Sequence, residues 1–160
     1  MDNIIVKKYG GSSLKNIDRI KNVAKQIKND YSKNRLVIVV SAMGDSTNEL
    51  IDMAKKISKK PSKREIDMLL STGEQISISL LAIALQEIGC KSISLTGGQS
   101  GIKTDSYHNK ARISEIDTTR IKKELNNNNI VIIAGFQGVT ENLDITTLGR
   151  GGSNTTAVAV

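Results

Sequence analysis

Three short segments of the sequence combine glycine, hydroxyl side chains and a cation in patterns that suit the binding of an anion. The first segment, Lys8-Tyr9-Gly10-Gly11-Ser12-Ser13, follows an apolar run and precedes a helical pattern. Paired glycines let backbone N–H groups converge on a phosphate, a helix N-terminus adds partial positive charge, and Lys8 adds a full charge. The chain contains neither G-x-x-x-x-G-K-[ST] nor G-x-G-x-x-G. Taken alone, this segment fits an ordinary turn better than a phosphate site.

The second segment follows another apolar run, and the third lies near the end of the sequence. In Ser41-Ala42-Met43-Gly44-Asp45-Ser46-Thr47, hydroxyls and a helix start suit carboxylate or phosphate oxygens, and an ordinary loop with a threonine cap explains the pattern equally well. The third segment, residues 146–154, places Arg150 among glycines just ahead of a helical pattern. Arginine can bind a carboxylate through two parallel hydrogen bonds, so ligand contact is favoured over an exposed turn arginine.

The elements that must position these segments alternate between strand and helix patterns. Four segments predict strands: the short apolar run Ile4–Val6, the longer apolar runs Leu36–Val40 and Ile130–Ala134, and the alternating segment Ser92–Leu95. Runs of β-branched residues suit strands that are covered on both faces. Strands that alternate with helices predict a mostly parallel central sheet with helices on both faces, which is a three-layer αβα architecture of the α/β class. In such sheets, ligands bind where the carboxyl ends of the strands meet.

Helical periodicity predicts the intervening elements. The patterns cover 17–27, a short stretch capped by Ser46 or Thr47, a long stretch over 65–87, and a weaker helix capped by Asp117. In the long helix, Ile66, Leu69, Ile76, Leu80 and their periodic neighbours predict the buried face, and Gly73 within it indicates close approach of another group. The last residues start a helix that stops after about two turns, so the chain is expected to be truncated.

Composition limits the possible classes of protein. The 160 residues suit one globular domain, and the scarcity of aromatic residues (3 Tyr, 1 Phe) argues against base stacking. One cysteine, Cys90, excludes a disulfide framework within the chain, and the single His108 argues against zinc, so neither residue receives a role. No signal-peptide pattern opens the sequence, and apolar runs such as Leu80–Leu85 are too short to span a bilayer. Both observations favour a cytoplasmic protein that does not associate with a membrane.

The net charge of +7 comes from residues 1–70, which carry 15 of the 23 basic residues and 8 of the 16 acidic ones. Much of the excess lies in the run Lys55–Arg64. Such a run fits either a patch for nucleic acid or an acidic membrane, or a solvated helix end broken at Pro61. The second interpretation is favoured, because no aromatic residues or recognition motif accompany the run.

Taken together, the motifs resemble the aspartate kinases of the amino-acid kinase family. The resemblance rests on their order: Lys8-Tyr9-Gly10-Gly11-Ser12-Ser13, then Ser41 with Thr47, then Ser71-Thr72-Gly73-Glu74, then Thr146–Thr156. It covers the whole chain and implies the αβα fold of the carbamate kinase-like proteins. It further implies that residues 1–160 are the N-terminal, amino-acid-binding lobe of a kinase domain, with the nucleotide lobe and regulatory domains absent.

The resemblance implies ATP-dependent phosphorylation of the side-chain carboxylate of L-aspartate, the first step towards lysine, methionine and threonine. ATP and Mg²⁺ would take part, no metal ligand is assigned to the chain, and the full-length enzyme would be a homo-oligomer. Lys8 would stabilise the transferred phosphoryl group, and the piece alone is expected to be inactive. The remaining implied roles are phosphate binding by Gly10, Gly11 and Ser12, and aspartate binding by Ser41, Thr47, Glu74 and Arg150.

One position departs from the family pattern, which has aspartate after Gly-Gly-Ser where this sequence has Asn154. Asparagine keeps the size and the capping capacity but removes the charge, which predicts reduced activity unless the residue was introduced artificially. Two alternatives to an aspartate kinase stay open. One is a kinase of glutamate, acetylglutamate or a nucleotide, and the other is a non-catalytic lobe that binds an amino acid.

Overall fold

The computed structural model describes residues 3–149 and 151–160. Its first sheet is parallel and has the strand order β1-β2-β6-β3. Tyr9 pairs with Val40, and Val40 pairs with Ala134, so three strands end side by side. The strands are β1 (Ile4–Tyr9), β2 (Arg35–Val40), β3 (Ser92–Leu95) and β6 (Ile130–Ala134).

Helices cover both faces of this sheet, which confirms the predicted three-layer αβα architecture. On one face, α1 and α3 pack against Leu36, Ile38 and Val40. On the other face, Val37 and Val39 contact the residues of α4. The helices are α1 (Ile17–Tyr31), α2 (Ser46–Ile57), α3 (Lys63–Glu87), α4 (Thr119–Asn126) and α5 (Gly152–Ala159), with a 3-10 turn at Gly11–Leu14.

A second sheet was not predicted from the sequence. It has the order β5-β4-β7-β8 and mixes parallel and antiparallel pairs. Two of its strands lie between β3 and α4, and the other two follow β6. They are β4 (Ile102–Thr104), β5 (Ile113–Ile116), β7 (Gln137–Val139) and β8 (Ile145–Thr147). Strands of three or four residues are too short to show the alternation that identifies a strand in sequence.

The starts of two helices differ from the predicted caps. Ser46 and Thr47 lie inside α2, which follows Asp45 without a side-chain cap, and the Ser46 hydroxyl donates to the Met43 carbonyl at 2.6 Å. The prediction that either residue caps this helix was wrong. The N-cap of α4 is Thr118 and not the predicted Asp117, which lies one residue earlier and accepts a hydrogen bond from the Thr119 N–H at 2.9 Å.

The buried face of α3 also differs from the predicted apolar stripe. Ile76 is 53% exposed, whereas Asp67, Ser71 and Glu74 are buried. The N-terminal half of α3 packs against β8 through these polar residues, which hydrophobic periodicity could not reveal. The C-terminal half buries Leu81 and its apolar neighbours in the core, as a sheet-covering helix must.

By length and composition alone, α3 could cross a membrane. Half of its apolar 18-residue window is buried inside the fold, as in the core helix of a globular protein. Its buried acidic residues face other protein elements, which a lipid-exposed helix would not allow without cost.

Candidate functional site

The carboxyl ends of β1, β2 and β6 open onto one cavity of about 270 Å³. The loops after these strands, Glu74 near the middle of α3 and the start of α5 form its walls. Convergence follows from the parallel register, because neighbouring parallel strands end at the same edge of the sheet. The cavity is lined by Lys8, Gly11, Ser41, Ala42, Gly44, Thr47, Glu74, Phe136, Gly151, Gly152, Ser153 and Asn154.

This cavity brings together most of the residues that the sequence singled out. Lys8, Gly11, Ser41, Thr47, Glu74 and Asn154 all line it. Gly10 and Ser12 do not: Gly10 lies beneath the Lys8 ammonium, and Ser12 is exposed on the 3-10 turn. Arg150 lies outside the described residues, so the prediction for its guanidinium has no structural counterpart here.

The positive side of the cavity is formed by Lys8 and the start of α5. Lys8 is exposed near the end of β1. Gly151, with φ +80°, turns the chain into α5, so that the first residues of this helix line the cavity. A helix N-terminus carries partial positive charge and free N–H groups, and together with an ammonium it suits a phosphate or carboxylate.

Gly11 joins the first loop to the second by a close backbone approach. The Gly44 N–H donates to the Gly11 carbonyl at 3.1 Å. A Cβ at position 11 would lie 2.8 Å from the Ala42 carbonyl oxygen and 3.1 Å from that of Gly44. Glycine is therefore required at this position because the loops after β1 and β2 touch there.

We expect the change Gly11→Ala to lower the free energy of unfolding by about 1–3 kcal/mol, because the added carbon overlaps backbone that cannot swing away. Equilibrium urea denaturation measures the effect. Gly149→Ala is the matched control, since no atom lies within 4 Å of a Cβ at that position. Equal destabilisation by both changes would contradict this account of the contact.

Ser41 and Ser153 connect the end of β2 with α5. The Ser41 hydroxyl donates to the Ser153 hydroxyl at 3.0 Å. Gly135 permits this approach, because a Cβ there would lie 2.8 Å from the Ser153 hydroxyl oxygen. The two hydroxyls thus form a polar part of the cavity wall, and each can rotate to donate a hydrogen bond to a ligand or accept one from it.

Glu74 supplies the negative side of the cavity. Its side chain is 3% exposed, Oε1 accepts from the Ala42 N–H at 3.2 Å, and Oε2 is buried without a partner. Burial raises the pKa of this carboxyl from 4.5 to about 7, against the lowering effect of its backbone hydrogen bonds. A buried carboxylate oxygen without a donor is a place for a ligand's N–H group.

Gly73 allows the helix that carries Glu74 to approach the second loop. A Cβ at position 73 would lie 2.9 Å from the Ala42 Cβ. The group that approaches this glycine is therefore the loop after β2. The contact brings Glu74 to the Ala42 N–H.

Phe136 lines the cavity, although the sequence analysis assigned no role to it. It has φ +70°, a left-handed conformation that costs energy for an aromatic residue. Its N–H donates to the Thr156 hydroxyl at 3.2 Å, and its carbonyl accepts from the Leu148 N–H at 2.8 Å. These hydrogen bonds hold Phe136 in the left-handed conformation. A positive φ at a residue other than glycine could not be predicted from the sequence.

The described residues do not form a metal site. They contain no group of three or more His, Cys, Asp or Glu side chains arranged to hold an ion. Among the described residues that line the cavity, Glu74 is the only acid, and Asn154 is neutral. Glu74 is therefore the only carboxylate that the described lining offers to a cation such as Mg²⁺, which prefers oxygen ligands.

An α/β fold with a polar cavity at the carboxyl ends of its parallel strands is typical of proteins that bind small molecules. The sequence profile described as the amino acid kinase family matches residues 3–160, and the chain belongs to this family.

Relatives within the family confirm the resemblance to aspartate kinases. The chain is 60% identical over 158 residues to the aspartokinase of Geobacillus stearothermophilus, with 98% of this chain and 39% of that protein covered. It resembles the crystal structure of aspartate kinase from Synechocystis with a TM-score of 0.81 and 47% identity, over 97% of this chain and 25% of that one. E. coli aspartokinase III in complex with aspartate and ADP shares the fold at a TM-score of 0.82 and 22% identity, over 96% of this chain and 45% of that one.

The chain spans about two fifths of the length of the curated aspartokinases to which it is similar.

Proposed function

We propose that residues 1–160 form the amino-acid-binding lobe of an aspartate kinase, which transfers the γ-phosphoryl group of ATP to the side-chain carboxylate of L-aspartate. The observation that carries the proposal is the cavity in which the unpartnered Oε2 of Glu74 lies with Lys8 and the start of α5. Aspartate offers complementary groups, because its ammonium can donate to a carboxylate while its two carboxylates need cations and N–H donors. The aspartokinase relatives support the same substrate.

Each residue of the cavity then has a role that its chemistry allows. Glu74 accepts from the substrate ammonium, and Ser41 and Thr47 donate hydroxyl hydrogens to its carboxylates. Arg150, by its place in the sequence motif, binds the α-carboxylate. Lys8 and the backbone around Gly11 neutralise the phosphoryl oxygens. Gly10 and Ser12 support this loop from outside the cavity wall.

The transfer step needs alignment and charge neutralisation rather than a protein nucleophile. An oxygen of the substrate side-chain carboxylate forms a bond to the γ-phosphorus, and the bond from that phosphorus to the β–γ bridging oxygen breaks, so that ADP leaves with the electron pair. The carboxylate is already ionised, so no general base has to remove a proton. Lys8 stabilises the negative charge that shifts onto the phosphoryl and leaving oxygens.

The rest of the kinase would supply what this lobe does not. Mg²⁺, expected with the nucleotide, would be held by the phosphates and by residues outside those described here, since the cavity lacks a suitable donor set. We further propose that the enzyme works in the cytoplasm as a homo-oligomer. The run Lys55–Arg64, whose lysines are exposed, is solvated surface in this proposal, with no nucleic acid or membrane as its partner.

Restoring the family's acid, Asn154→Asp, is expected to raise kcat about tenfold or more, because a carboxylate at the start of α5 would orient the neighbouring cations. Asn154 is exposed and lines the cavity, so the change is tolerated by the fold. Steady-state kinetics of the full-length protein measure kcat. A matched change on the exposed surface, Asn48→Asp, should leave kcat unaltered, and an equal gain in both variants would contradict the prediction.

The proposal is tested by the substrate dependence of ADP release from the full-length protein. Release that depends on aspartate supports it. Release that depends instead on glutamate, acetylglutamate or a nucleotide would assign the chain to another kinase of the family. Calorimetry addresses the non-catalytic alternative: a lobe that only binds amino acids would take up aspartate in the full-length protein and release no ADP.

A further inference from the structure

Asp67 is a buried acid that the proposed reaction does not use. It lies on α3 with no exposed surface and is held by three residues from other elements. Its carboxylate accepts from the Thr147 hydroxyl at 2.5 Å, from the Asn109 N–H at 3.0 and 3.1 Å, and from the His108 Nδ1 at 2.7 Å. A buried carboxylate is costly unless its oxygens are satisfied, so α3, β8 and the loop of His108 and Asn109 must keep this arrangement.

Asp67 and Glu74 lie on the same face of α3. They are seven residues apart, which is two helical turns, or about 10 Å. Between them, the Ser71 carbonyl accepts from the Gln137 side-chain amide of β7 at 3.0 Å. One face of the helix therefore bonds to the second sheet at two points and presents Glu74 to the cavity beyond them.

Thr147 comes just before the segment that contains Arg150, the residue to which the family motif assigns substrate binding. It is the last residue of β8 and precedes Arg150 by three positions. The Thr147 carbonyl accepts from the Ala111 N–H at 3.0 Å, and the next residue, Leu148, donates its N–H to Phe136. At the far end of the segment, Ser153 is bonded to Ser41. The Asp67 carboxylate thus fixes one end of this segment to the helix that carries Glu74.

We propose that Asp67 is a positioning residue for the substrate. Through Thr147, it sets the distances from Glu74 to Leu148 and Ser153, and thereby the affinity for aspartate, without touching the substrate itself. The proposal rests on the proposed function, since it concerns the binding of aspartate in the same cavity. Small displacements of binding groups are enough to reduce catalysis strongly.

The sharpest test uses two substitutions of Thr147 in the full-length protein. Thr147→Val keeps the shape and removes the hydroxyl, whereas Thr147→Ser keeps the hydroxyl. We expect Thr147→Val to raise KM for aspartate about tenfold or more with a smaller change in KM for ATP, and Thr147→Ser to retain the wild-type value. Asp67→Asn should raise KM for aspartate similarly, and the double variant Asp67→Asn/Thr147→Val should be no worse than Asp67→Asn alone.

Asp52→Asn is the matched control, because Asp52 is an exposed acid on α2 that pairs with Lys55 at 3.7 Å. It should leave both KM values unaltered. If Thr147→Val lowers the thermal midpoint but leaves KM for aspartate at the wild-type value, Asp67 has only a structural role and the proposal is overturned. The Thr147 pair decides the question even if Asp67→Asn does not fold. A wild-type protein that releases no ADP with aspartate would instead overturn the proposed function, and this inference with it.

Discussion

Replacing Lys8 with alanine is expected to lower kcat of the full-length kinase by about a thousandfold, with the fold retained. Lys8 is exposed at the end of β1, lines the cavity and lies over Gly10. Its ammonium makes no salt bridge among the described residues, so it is available for the charge that develops on the transferred phosphoryl group. Because this charge is largest in the transition state, the loss should appear in kcat more than in KM for aspartate.

Lys7 provides a matched control for this experiment. It is the neighbouring lysine on the same strand, points to the opposite face and pairs with Asp30 at 2.5 Å. Lys7→Ala should therefore leave kcat unaltered, whereas Lys8→Arg should retain part of it, because the charge stays but the geometry changes. Equal losses from Lys7→Ala and Lys8→Ala would mean that net charge or folding, and not the position of Lys8, determines the rate.

Glu74→Gln is expected to raise KM for aspartate about a hundredfold at alkaline pH, because it removes the charged partner of the substrate ammonium in a buried place. The side chains have the same size, so the contact of position 74 with the Ala42 N–H can persist. Steady-state kinetics at saturating ATP measure the effect. Glu49→Gln, at an exposed position of α2, is the control and should not change KM.

The same residue predicts a pH dependence whose sign follows from its pKa. Burial raises the pKa of Glu74 from 4.5 to about 7, so the carboxyl is neutral below that pH and ionised above it. Aspartate binding through its ammonium requires the ionised form. The affinity should therefore rise as the pH increases through 7 and then level off, and binding at lower pH should release a proton, which calorimetry in buffers of different ionisation enthalpy detects.

Stability should change in the opposite direction in the absence of substrate. The folded protein holds the Glu74 proton up to about pH 7, whereas the unfolded chain loses it near 4.5, so the free energy of unfolding falls as the pH rises across this window. In Glu74→Gln this contribution is missing, and the stability curve should be flatter than that of the wild type between these values. An unchanged slope, together with an unchanged KM for aspartate, would contradict the role assigned to Glu74.

The parallel sheet could be predicted from sequence because its two central strands are runs of apolar residues. Leu36–Val40 and Ile130–Ala134 are buried along their whole length, as strands covered on both faces must be. The second sheet could not be predicted, since strands such as Ile102–Thr104 and Gln137–Val139 are too short to show a period. Their pairing is set by partners distant in sequence, as in the contact of Lys103 with Val139.

The candidate site divides in the same way. Lys8 and Ser41 could be predicted as site residues because they lie in loops at the ends of predicted strands and have suitable side chains. Glu74 was predicted only from the family motif, because a glutamate within a helix is ordinarily solvated. Phe136 and Asp67 were missed. The first is defined by a backbone angle, and the second by a partner 80 positions away in the chain, Thr147, and neither property has a local signature.

Trapping of the product tests most directly whether this chain binds aspartate for phosphorylation of the aspartate side-chain carboxylate. An acyl phosphate reacts with hydroxylamine to give a hydroxamate, which mass spectrometry identifies. With the full-length protein, we expect the side-chain hydroxamate of aspartate, formed only when ATP and aspartate are both present and in proportion to the ADP released. ADP release without a hydroxamate, or a hydroxamate formed from glutamate but not from aspartate, would contradict the claim.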